Sequence, residues 1–167
     1  MKLRAAYRKL PSAILILLAL TALIGISIAE PGGLTLKQAV SLSFSKATSW
    51  SREARLTYAI STEAVNDIAT SQGKTGRWSN WNVIFVEENT GRNLLVAVRN
   101  GQVAYTKEIL TAFKNPIKST DLKLDSTSAV NVVRTMHRDS QPTKIHFELL
   151  NQQSPLLRVY CQCCNGL

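Results

Sequence analysis

The strongest constraint on this chain is a charge-free stretch near its start, Ser12–Ala29 (SAILILLALTALIGISIA). Wound as an α-helix it rises about 27 Å, close to the hydrocarbon thickness of a bilayer. Apolar residues would surround such a helix on every side, so it does not read as the amphipathic helix of a soluble core. Lys2, Arg4, Arg8 and Lys9 stand before it. A basic segment ahead of an apolar one is a translocation signal: the basic end stays in the cytoplasm and the chain beyond the apolar run is carried across. Ser27 and Ala29 put small residues at the −3 and −1 positions of a cleavage site, whereas the length of the run suits a retained anchor. Both outcomes, secretion or a single-pass membrane protein, place the rest of the chain outside the cytoplasm.

The remainder is long enough to bury one core. Of the 167 residues 45% are hydrophobic, which excludes a wholly disordered chain. The net charge is +9, but beyond Ala29 the basic residues are scattered, with no block and no interleaved aromatics. Nucleic acid is therefore not expected as a partner. The expected organisation is residues 1–29 as signal peptide or anchor, 30–34 as a linker around Pro31-Gly32-Gly33, and 35–167 as one α+β domain.

Within that domain, Leu36, Val40, Phe44 and Ala47 predict one face of a helix over Thr35–Ser49. Leu56, Tyr58 and Ile60 alternate with polar and small residues and predict a strand, with a helix through Leu56, Ile60 and Ala64 as the competing reading. Ser71–Asn80 is polar and glycine-bearing, hence a loop. Trp81, Val83 and Phe85 mark one side of a second strand, and Asn93–Arg99 is a third. Asn100-Gly101 suits the two central positions of a type I′ turn, so Gln102–Glu108 pairs back as a fourth. After Asn115-Pro116 the pattern restarts. Asp125 or Ser126 caps a helix with apolar positions Ala129, Val132, Val133 and Met136, and strands come next at Lys144–Leu150 and Leu156–Cys163. The prediction is helices packed on one face of an antiparallel sheet, in two helix–strand units over 35–110 and 117–167.

Trp50-Ser51-Arg52-Glu53-Ala54-Arg55-Leu56, the Gly73-Lys74 turn and the strand opening at Trp81 resemble PepSY-like extracytoplasmic domains. Leu124-Asp125-Ser126 with Ala129, and Ser154-Pro155-Leu156-Leu157, are similar to later parts of that pattern. The resemblance implies a cystatin-like or β-lactamase-inhibitor-like fold. It also implies a secreted or membrane-anchored module, in some members inhibitory toward peptidases, that acts on an envelope protein and carries no catalytic residue. Glu53 stands where the pattern has Asp. The pattern also has a further strand where this chain has only Asn165-Gly166-Leu167, so the second unit is expected to be incomplete.

Other chemistries find less support. Cys161, Cys163 and Cys164 are the only thiols. Their CQCC spacing is not that of a zinc site, which would need His137 or His146 brought close in space. Neither a metal nor another cofactor is expected, and a small thiol or metal protein is the alternative reading. A hydrolase would need a Ser–His pair that no local motif supplies. Trp50, Trp78 and Trp81 form either a stacking platform for a ligand or ordinary packing over a sheet edge. The last strand, lacking a further strand to pair with, is expected at a sheet edge with its thiols exposed and prone to a disulfide-linked dimer.

Overall fold

The computed structural model describes residues 33–63, 73–110, 113–137 and 142–163. The apolar run, Cys164 and Asn165-Gly166 lie outside them. Among the described residues no helix is long and apolar enough to cross a membrane.

The chain forms α1 (Leu36–Trp50), β1 (Ala54–Ser61), β2 (Trp81–Glu87), β3 (Asn93–Arg99), β4 (Gln102–Ile109), α2 (Ser126–Met136), β5 (Pro142–Asn151) and β6 (Pro155–Cys163), with a 3-10 turn at Ser119–Asp121 before α2. All neighbouring strands are antiparallel, in the order β4-β3-β2-β1-β5-β6. The fold is thus α+β, with two helices and one six-stranded sheet. Thr35 opens α1 with a capping box, its hydroxyl accepting from the Gln38 N–H while the Gln38 side chain accepts from the Thr35 N–H. Asn100 and Gly101 both take positive φ, 51° and 74°, as a type I′ turn requires.

One core lies between the sheet and both helices. Leu56 and Ala59 of β1, Trp81, Val83 and Phe85 of β2, Leu94, Val96 and Val98 of β3, and Ile145, Phe147 and Leu149 of β5 all point into it. β1 departs from simple alternation. A bulge between Leu56 and Tyr58 resets its phase, so Ala59 and Ser61 bury after Leu56 while Tyr58 turns to the opposite face. There its ring stacks on Phe113, 4.7 Å between centroids, and its hydroxyl donates to Glu148 at 2.8 Å.

The helices bury Leu36, Val40 and Ala47, and Ala129 and Val133, as their apolar spacing predicts, but not Phe44, Val132 or Met136. α1 buries Leu36, Ala39, Val40, Ser43 and Ala47, and leaves Phe44 45% exposed. α2 buries Ser126, Ala129, Val130 and Val133, leaving Val132 and Met136 on the surface. Both buried stripes keep helical spacing, but each admits a serine. The Ser43 hydroxyl donates to the Ala39 carbonyl one turn back, at 2.8 Å. The Ser126 hydroxyl accepts the Leu36 N–H at 2.9 Å and donates to the Gly76 carbonyl. A hydroxyl satisfied in this way loses most of the penalty of burial. The apolar side chains that would have taken those places are turned outward.

Ser126 and its neighbour also join the two units. Asp125 caps α2 by accepting the Ser126 N–H at 2.8 Å, and the same carboxylate oxygen accepts the Lys37 N–H at 3.0 Å. Two adjacent side chains at the start of α2 thereby serve the first free N–H groups of α1. The connection from β4 to α2 closes the other side of the seam. β5 pairs with β1 only from Tyr58 to Ile60, and beyond that the Leu56 carbonyl accepts the Ile117 N–H.

Candidate functional site

Phe44, displaced from the core by Ser43, stands beside a cleft of about 340 Å³. Val40 and Phe44 of α1, Leu56 of β1, and Ile117 and Leu122 of the β4–α2 connection line it, with Arg55 and Lys118 at the rim. A shallower depression continues along α1 past Lys37 and Ser41. The lining is predominantly apolar and the size is that of a pocket for a small ligand or a few side chains. Phe44 is held edge-on to Phe85 with centroids 6.0 Å apart, which fixes one side of its ring and leaves the other open. Arg55 is drawn toward Glu53 and Glu88, both at 3.5 Å.

The three tryptophans do not share a surface. Trp81 is fully buried, and its indole N–H lies 3.1 Å from the carbonyls of both Leu34 and Trp78. Trp78 is buried too, donating to the Ile145 carbonyl at 2.7 Å. Gly73 makes this possible: at φ +70° it lies so close that a Cβ would meet the Ile145 carbonyl and the Trp78 ring. Trp50 closes the opposite end of α1, roughly 20 Å away by helix rise. It donates to Glu108 at 2.8 Å, with the Arg92 guanidinium 5.2 Å over its ring. Arg92 also lies 3.0 Å from Glu87, and with the Thr90 hydroxyl it holds the Glu87 carboxyl down at about 2.

A second polar cluster sits where β1 and β5 part. His146 Nδ1 lies 3.2 Å from the Ser61 hydroxyl and Nε2 lies 3.1 Å from Glu63, while the ring stacks on Trp78 with centroids 4.3 Å apart. Lys144 pairs with the same Glu63 oxygen. Hydrogen bonds from Lys144 and His146 hold the Glu63 carboxyl below its usual range. An ionised carboxylate only accepts, so with a neutral ring the proton sits on Nε2 and Nδ1 accepts from Ser61. Ser61 in turn accepts the Phe147 N–H at 3.0 Å. Serine, histidine and carboxylate are thus within reach of one another, the pairing that a hydrolase requires and that no local sequence motif announced. Ser61 is nevertheless only 3% exposed. Its oxygen substitutes for a strand carbonyl at the end of the β1–β5 ladder, which is a structural task.

The cysteines divide as well. Cys161 lies on the helix face, half-buried against the core and opposite Ile145. Cys163 ends β6, its backbone paired with Pro142. Among the described residues no three His, Cys, Asp or Glu side chains are placed to hold a metal ion. His137 is the C-cap of α2 and His146 belongs to the Ser61 cluster. Sequence reasoning missed the Phe44 cleft and the Ser61–His146 contact for the same reason. Each depends on residues far apart in the chain, and one on a serine taking an apolar place.

No family model matches the chain, and neither the curated proteins nor the solved structures searched contain a match to it.

Proposed function

We propose that the chain is an exported, non-catalytic binding module of the PepSY-like kind, built as two helix–strand units of which the second is the shorter. Residues 12–29 serve as its signal or membrane anchor, and the Phe44 cleft receives an apolar segment of another envelope protein. The observation that carries this reading is the cleft itself. A large aromatic side chain is 45% exposed beside an apolar hollow, whereas Trp78, Trp81, Phe85 and Phe147 on that face are buried and Trp50 is partly buried against the core. A photo-reactive residue at position 44 of the full-length chain in its native membrane should yield a discrete protein adduct. Phe44→Asp should abolish function while leaving the thermal midpoint within a few degrees. Failure to form any adduct, or full function in Phe44→Asp, refutes the cleft as the site.

Export has its own test. Protease added to intact cells or spheroplasts should digest the domain, and Leu17→Asp with Leu18→Asp should block export, since two central carboxylates cost about 5–7 kcal/mol on the insertion scale. A domain digested only after lysis contradicts it.

The Ser61–His146–Glu63 contact favours a second reading, a hydrolase, against which the burial of Ser61 stands. Covalent labelling of Ser61 by a fluorophosphonate would establish it, and unlabelled, folded protein would dismiss it.

A further inference from the structure

We propose that β6 is a self-pairing edge, and that two copies of the chain join β6 to β6 antiparallel into one continuous sheet. The inference rests on how differently the two edge strands are finished, and it stands independently of the occupant of the Phe44 cleft. Edge strands are ordinarily protected by charges, bulges or prolines. β4 has such protection: Lys107 and Glu108 lie within it, its pairing with β3 is interrupted by a bulge at Ala97/Val98, and Trp50 and Arg92 converge on Glu108. β6 has very little. It runs for nine residues, its one proline is its first residue, and its one charge is Arg158. Its pairing with β5 is regular from Asn151↔Pro155 to Lys144↔Gln162. Among the described residues it has a strand neighbour on one side only.

The sequence of β6 is complementary to itself. With Val159 opposite its own copy, Leu157 meets Cys161 on the helix face, so the apolar row of the core continues across the junction. On the other face Arg158 meets Tyr160 twice, once on each side of the axis. Both are already held in place by Glu148, which accepts from the Tyr160 hydroxyl and lies 3.6 Å from Arg158. The Tyr160 ring remains 49% exposed, open to a guanidinium across the strand pair. No like charges face each other in this register.

The symmetry also suits a chain tethered at its amino terminus. The two-fold axis of an antiparallel strand pair runs along the sheet normal, so both copies of Gly33 lie at the same height on the same side. Two chains anchored in one membrane require that arrangement, and an adventitious strand from an unrelated partner does not produce it.

The test uses the full-length chain in membranes, with Cys161, Cys163 and Cys164 replaced by Ser. Directly opposed residues of an antiparallel pair have Cα atoms about 4.5–5.5 Å apart, within disulfide range. Val159→Cys in this background should, on mild oxidation, move most of the chain to a band at twice the monomer mass. Tyr105→Cys on β4 should leave it monomeric. Arg158→Cys and Tyr160→Cys, expressed together on distinguishable copies, should cross-link to each other more than either does to itself. That pair reads the same register from the exposed face should Val159→Cys fail to accumulate. Monomer at every β6 position, equal cross-linking at Tyr105, or adducts of some mass other than twice the monomer would overturn the proposal.

Discussion

α1 lies along the sheet with contacts to β1, β2, β3 and β4, whereas α2 makes its main sheet contact with β5 alone. The first helix has 15 residues and the second 11. The first unit ends in an edge strand covered by an ion cluster, and the second in an edge strand carrying one charge. The same parts therefore reach stability by different routes. In the first unit a broad apolar contact distributes the energy over many side chains. In the second, a few anchors hold a short helix and a hairpin onto a sheet that the first unit has begun. Phe147, Ser126 and Gly76 are those anchors.

The difference between the units should show most strongly at Phe147. It is fully buried on β5, so Phe147→Ala should cost about 3–5 kcal/mol by denaturant unfolding. Phe44→Ala, on the half-exposed side of α1, should cost much less, about 1 kcal/mol. Equal losses at the two positions would show that the cleft is closed in solution.

The buried serines of the two helices differ from each other at smaller cost. Ser126→Ala leaves the Leu36 N–H and the Gly76 carbonyl without their partner, at about 1–3 kcal/mol. Ser43→Ala removes a hydroxyl that only bonds back to its own helix, and should fall within about 0.5 kcal/mol of the parent or above it. Gly76→Ala tests the same seam from the other side. At φ +79° an added Cβ would come within 2.5 Å of the Thr127 backbone, so its loss should be comparable to or larger than that of Ser126→Ala. A neutral Ser126→Ala would mean that apolar contacts alone hold the second unit.

The smallest effect concerns the protected edge. Arg92 and Thr90 lower the Glu87 carboxyl from its ordinary value of 4.5 to about 2. A group depressed on folding stabilises the native state above its unfolded value, and that contribution fades as pH falls from about 4.5 through 2. Glu87→Gln should therefore flatten the acid limb of the stability profile in that window and leave the shape of the profile near neutrality unchanged. An unaltered acid limb would show that this exposed pair is fully screened.

Much of the architecture is legible from residue order. The strands predicted at Trp81, Asn93, Gln102, Lys144 and Leu156 all form, with ends within two residues of those expected. β2 and β5 point Trp81, Val83 and Phe85, and Ile145, Phe147 and Leu149, into the core as alternation requires. These are local properties, fixed by the period of the pleat and by the φ demands of Asn100-Gly101. The candidate site is much less legible. Phe44 reads as core because apolar spacing alone places it there, and Tyr58 reads in phase with Leu56 because a bulge leaves no mark in the sequence.

Element types and the antiparallel hairpins are thus encoded locally, because each arises from backbone preferences within a few residues. Three features emerge only on assembly: which helix positions beyond the predicted ones are buried, that β1 pairs with β5, and that β4 and β6 are the outer strands among the described residues. A buried serine needs its hydroxyl satisfied, which the Ala39 carbonyl one turn back does for Ser43 and distant groups do for Ser126. Leu36 and Gly76 are such groups for Ser126, and they meet it only once the sheet is assembled. On α1 Ser43 is buried where the adjacent Phe44 would have carried more apolar area, and Phe44 stands half-exposed beside the cleft.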